Sequence, residues 1–132
     1  MDTAIKIQPQ ALENSARAGR IFSEAIPRGS DVVESLSRFA LEKGVEKALV
    51  WVFGTVSPAT VGVWDPVQEV SVTERYEGFF EFVSASGRIV QGDSSPVHLA
   101  ATLAGCDLKI VAGKIFSPTR SLTVRFDMME IA

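Results

Sequence analysis

Apolar positions recur at two different periods along this chain. Val32, Val33, Leu36, Phe39 and Ala40 fall at helical spacing and share one face. Asp31 ahead of them and Glu34 in the first turn form the acidic variant of a capping box, and Gly44 offers a left-handed stop. The pattern predicts a long helix over residues 31–43, lying on one side of a sheet. Before it, Arg20–Ile26 reads as a first strand closed by Pro27 and Gly29. Residues 1–19 show no clear period and read as a loose N-terminal arm.

Beyond the helix the signal is β throughout. Ala48–Phe53 is apolar on both faces, which predicts a central strand covered above and below. Ala59–Trp64 follows, then a turn at Asp65–Pro66 and alternation from Val70 to Tyr76. Further strands are expected at Phe79–Gly87, Val97–Ala104 and Leu108–Phe116. Near the end Leu122, Val124, Phe126 and Met128 alternate with Thr123, Arg125, Asp127 and Met129, a clear period of two. The expected class is α+β: a mostly antiparallel β-sheet flanked by the long helix and by shorter helical or loop elements, with residues 20–132 as a single domain.

Composition narrows the function classes. With 46% hydrophobic and 22% charged residues the 132-residue chain is globular. The single cysteine, Cys106, rules out an internal disulfide framework. No apolar run approaches the roughly 20 residues of a membrane span, so a cytoplasmic location without membrane contact is the expectation. Net charge is −3 and the basic residues are scattered, which argues against direct binding to nucleic acid, where phosphate neutralisation supplies most of the affinity.

Catalytic templates are absent: there is no Gly-x-Ser-x-Gly elbow and no Gly-x-Gly-x-x-Gly. Gly87–Gly92 has phosphate-loop spacing, but Asp93 stands where lysine belongs. One histidine and one cysteine cannot complete a zinc site by themselves. No cofactor is expected. His98 is the residue to follow. Taking Gly105-Cys106-Asp107 as a three-residue hairpin loop pairs Ala104 with Leu108, Ala100 with Ala112 and His98 with Lys114. Opposed β-carbons lie about 4.5–5.5 Å apart, so imidazole and ammonium would share one face. Two readings stand: both side chains point at solvent, or they form an anion pocket or general base. Glu81, among apolar neighbours, is either a partnered buried carboxylate or a solvent-facing strand residue. Ser84, Ser86 and Arg88 either line a polar cleft or keep an edge strand soluble. Trp51 and Trp64 read as core or interface aromatics.

Five stretches together resemble the PPC (plants and prokaryotes conserved) domain. Arg28-Gly29-Ser30-Asp31-Val32-Val33-Glu34-Ser35-Leu36 is similar to its Pro-Gly-Glu-Asp-Val-x-Glu-Ser-Leu opening. Phe53–Thr60 resembles its Gly-x-Val-Ser-x-Ala-x-Leu segment, and Trp64-Asp65-Pro66 its aromatic-Asp-Pro turn. Gly78–Gly87 resembles Gly-x-Phe-Glu-Ile-Leu-Ser-Leu-Ser-Gly, and Pro96-Val97-His98-Leu99 the strand that follows. The similarity runs from about residue 20 to 131.

The resemblance implies an antiparallel sheet with helices and a homotrimer. It also implies, for some prokaryotic members, a metal held by a His-x-His strand and a later Gly-Gly-His. His98 matches the first of those positions, while Ala100 and Lys114 stand at the other two. Three functions follow as expectations. The first is a homotrimeric binding or interaction module with a small anionic ligand near His98, Lys114, Glu81, Ser84 and Arg88. The second is an enzyme using His98 and Lys114 in acid–base work. The third is a DNA-associated regulator by family association, although the chain has no Arg-Gly-Arg-Pro hook. No family-type metal site is expected; His98 repeated about a threefold axis is the remaining metal route.

Overall fold

The computed structural model describes residues 16–132, so most of the expected N-terminal arm lies outside the described residues. Helix α1 (Val32–Glu42) begins where the acidic box predicts, with Asp31 Oδ2 accepting the Glu34 amide at 2.9 Å. Val32, Leu36 and Ala40 are fully buried. Phe39 packs edge-on between Phe22 and Phe126. At the other end Gly44 takes φ +68°, the Val45 amide bonds to Ala40 O at 2.8 Å and the Gly44 amide to Leu41 O at 3.2 Å. This paired closure stops the helix and turns the chain into a strand.

Eight strands make one sheet: β1 (Ala18–Ile26), β2 (Lys47–Val56), β3 (Ala59–Asp65), β4 (Val70–Tyr76), β5 (Phe80–Val90), β6 (Val97–Gly105), β7 (Ile110–Phe116) and β8 (Ser121–Ile131). Their order is β1-β8-β2-β5-β6-β7-β3-β4, every neighbouring pair antiparallel. The inner face (Val50, Val52, Phe82, Ile89, Leu99, Leu103, Val124, Phe126, Met128) packs with α1 into one core.

The expected class needs correction. The helix is 11 residues, about 16 Å at 1.5 Å per residue, against a sheet of eight strands. It is short, and among the described residues no other α- or 3-10 helix accompanies it. The expected flanking elements are turns and loops, because closure at Lys43–Val45 sends the chain straight into β2. A second correction concerns β2, expected to be covered on both sides. Ala48, Val50 and Val52 are buried, yet Trp51 is 39% and Phe53 52% exposed. Its outer face has no covering layer within the described chain.

Buried polar groups cluster where the β7–β8 connection meets the start of α1. Asp31 accepts from Ser117 Oγ at 2.6 Å and from the Thr119 amide at 2.8 Å, in addition to capping the helix. Thr119 Oγ1 donates to Phe116 O and accepts the Thr60 amide. Ser121 Oγ donates to Ile26 O. Each buried hydroxyl therefore has a partner, which removes the cost of sequestering it.

Candidate functional site

The outer face of the sheet carries the even-numbered residues of β6: His98, Ala100, Thr102 and Ala104. Opposite them on β5 stand Arg88, Ser86, Ser84 and, past a bulge, Glu81. On β7, Lys114 lies opposite Ala100 and Ala112 opposite Thr102. The hairpin differs from expectation in register. Its closing residues are Gly105 and Lys109, joined by the Gly105 amide to Lys109 O at 2.9 Å, and Leu108 takes φ +66° in the loop. The three-residue loop is thus Cys106–Leu108, one residue further along than Gly105–Asp107. Moving a loop by one residue moves the pairing by two, and a period of two leaves every side chain on its face.

His98 and Lys114 are therefore diagonal rather than direct neighbours, with Lys114 Nζ 3.4 Å from His98 Nδ1. On the far side of the ring, His98 Nε2 is 3.0 Å from Asp93 Oδ2. An ammonium can only donate, so a hydrogen bond from Lys114 makes Nδ1 the acceptor and leaves Nε2–H to donate to the carboxylate. Lys114 Nζ also lies 5.5 Å from the centre of the Phe116 ring. Among the described residues neither Lys114 nor Arg88 has a carboxylate within ion-pair reach. The result is two cations and an imidazole on one patch of sheet, with a single carboxylate at its rim.

The other expected residues separate from this group. Glu81 is exposed, opposite Thr55 and Ala104, and lines a cavity of about 290 Å³ with Phe79, Phe80, Cys106 and Leu108. Ser84 faces outward opposite Thr102, four residue pairs along the ladder from His98. The structure thus joins His98, Lys114 and Arg88, leaves Ser84 on the same face and sets Glu81 apart. Asp93 is the residue that the sequence reading passed over. It sits in the polar loop between β5 and β6, five residues before His98, a distance at which a loop side chain can fold back on the strand it introduces.

A metal of the kind the family resemblance implies does not fit these side chains. Among the described residues no group of three or more His, Cys, Asp or Glu side chains gathers. The second ring nitrogen of His98 faces an ammonium rather than a free coordination position.

The profile of the Plants and Prokaryotes Conserved (PCC) domain matches residues 13–132, and the chain belongs to that family. Among solved structures it is similar to a plant- and prokaryote-conserved protein from Pyrococcus horikoshii, with TM-score 0.84, 18% identity and coverage of 90% of this chain and 83% of that one. It is also similar to a metal-containing protein from Archaeoglobus fulgidus, with TM-score 0.82, 25% identity and coverage of 89% and 84%. A third is a protein from Bacteroides thetaiotaomicron whose name assigns DNA binding provisionally, with TM-score 0.74, 19% identity and coverage of 89% and 85%. No curated protein sequence matches the chain at a significant level.

Proposed function

We propose that this chain is a homotrimeric binding module of the PPC type that takes a small anion at His98, Lys114 and Arg88. The observation that carries the reading is the pair of cations without carboxylate partners among the described residues, Lys114 at 3.4 Å from the imidazole and Arg88 across the strand from it. Lys114 stands where the family's third metal ligand belongs, so a fixed ammonium replaces a bound cation as the positive centre. Charge-assisted hydrogen bonds to such a centre contribute about 1.5–3 kcal/mol each. Calorimetric titration with phosphate and succinate is expected to give binding that weakens about tenfold or more in Lys114→Ala, since 1.4 kcal/mol is a factor of ten. No binding, or equal binding by the variant, overturns the reading. Elemental analysis separates it from the threefold alternative, in which three His98 side chains hold one metal per trimer.

An acid–base enzyme is the second reading, favoured by the Asp93–His98–Lys114 line of hydrogen bonds, in which a carboxylate orients the imidazole. Turnover of an anionic substrate that is abolished by His98→Gln would carry that reading. DNA association rests on family alone, and a net charge of −3 favours no tight direct complex in a shift assay at moderate salt.

A further inference from the structure

We propose that Asp93 is a built-in competitor for the anion site and that it restricts the site to ligands with two negative charges, phosphomonoesters or dicarboxylates. This rests on the anion reading above and adds what the ligand must be. Both ring nitrogens of His98 are occupied in the free protein, Nδ1 by Lys114 and Nε2 by the Asp93 carboxylate. An incoming anion that reaches the imidazole must therefore displace a carboxylate already there.

The loop that delivers Asp93 is built to let go. Gly92–Ser95 are exposed, and Gly92 takes φ +99°. The loop is anchored at its base by the Gln91 amide to Glu46 O at 2.8 Å and the Val90 amide to Pro96 O at 2.9 Å. Between those anchors, the hydrogen bonds of the described residues give it only the Asp93 amide to Val90 O at 3.4 Å and the side-chain bond to His98. The Asp93 carboxylate is thus the loop's one side-chain tether to the sheet.

A tethered group competes at an effective concentration on the order of millimolar. A monocarboxylate that replaces Asp93 offers His98 no more than Asp93 already does, and one that leaves Asp93 in place pairs with Lys114 or Arg88 without the imidazole. A second negative charge changes the balance, because Lys114 on one side and Arg88 on the other lack carboxylates of their own among the described residues. A dianion answers the imidazole and a cation together, which Asp93 cannot do from the rim.

The test titrates acetate, methyl phosphate and succinate into the wild type, Asp93→Asn and Asp107→Asn near pH 8, where the phosphate monoester is a dianion. Asp107 lies in the β6–β7 loop and controls for the general effect of removing one negative charge. The wild type is expected to bind at least one dianion, the two dianions telling phosphate from dicarboxylate sources, and to bind acetate at least tenfold more weakly. Asp93→Asn is expected to tighten every anion about tenfold, bringing acetate into the measurable range, while Asp107→Asn changes affinity less than twofold. Acetate binding the wild type as well as the dianions do overturns the two-charge requirement. Asp93→Asn weakening the anions, or matching Asp107→Asn, overturns the competitor and leaves the anion site standing. Absence of binding to both wild type and Asp93→Asn removes the anion site itself.

Discussion

At Gly87 the strands that carry Arg88 and His98 approach more closely than any side chain allows. A Cβ added there would overlap the carbonyl oxygen of His98, which is backbone and cannot step aside. Gly87→Ala must therefore push β5 away from β6 at the residue next to Arg88. The expected cost is about 3 kcal/mol or more, at the upper end of overpacking penalties, read as a lower urea midpoint. A midpoint within about 0.5 kcal/mol of wild type would show that the pair of strands gives way freely there. Side-chain identity was plain in the sequence, and so was the face. The expected shared face of Lys114 and His98 holds because moving the loop by one residue shifts the pairing by two and preserves parity. Asp93 was not legible, since nothing in a polar loop says which of its residues folds back.

Among the elements, edge strand β1 is tied to β8 and to the end of α1 by one side-chain bracket in addition to its ladder. Arg20 donates through Nε to Glu130 Oε1 at 3.0 Å and through Nη2 to Glu130 Oε2 at 2.9 Å and to Lys43 O at 2.8 Å, joining β1, β8 and the end of α1. The hydrogen bonds from Arg20 hold the Glu130 carboxyl below its ordinary value of 4.5. A carboxyl depressed in the folded state adds stability that is fully present above the unfolded value and is lost as pH falls through the folded one. The urea midpoint of the wild type should therefore exceed that of Glu130→Gln from neutral pH down to about 4.5, with the gap closing further into acid. A gap that stays constant from pH 6 to pH 3 would show that the bracket contributes through packing alone.

Element existence was readable from period, and element cover was not. The helix announced itself through Asp31, Glu34 and the Val32–Ala40 spacing, yet its length was overread because the stop at Gly44 fixes the end while the cap residues add to the apparent run. β2 looked like a strand buried on both sides because Leu49, Trp51 and Phe53 are as apolar as Ala48, Val50 and Val52. Hydrophobicity reports what is to be covered, without saying whether the same chain or another covers it.

On the scale of the whole molecule that ambiguity becomes the argument for assembly. One short helix packs on the inner face of an eight-stranded sheet, while Trp51 and Phe53 stand in a row on the outer face and Val83 is exposed beside them at the β5 bulge. Half-exposed aromatic side chains of this size forgo on the order of 1 kcal/mol each, roughly half of what full burial contributes. A second copy of the same chain is the partner the PPC resemblance implies, and a stable interface asks for about 1,200–2,000 Å² of total buried surface. Trp51 is also on the row that runs through Ser86 and Ala100 to Lys114, so the face that would bring copies together is continuous with the proposed anion site. Sedimentation equilibrium should accordingly find three copies per particle for the wild type. Trp51→Glu, which places a charge where the copies would meet but leaves the inner core intact, should sediment as a monomer with unchanged far-UV circular dichroism. A monomeric wild type would assign the exposed row to some other partner, whereas a trimeric Trp51→Glu would move the contact to another part of the sheet.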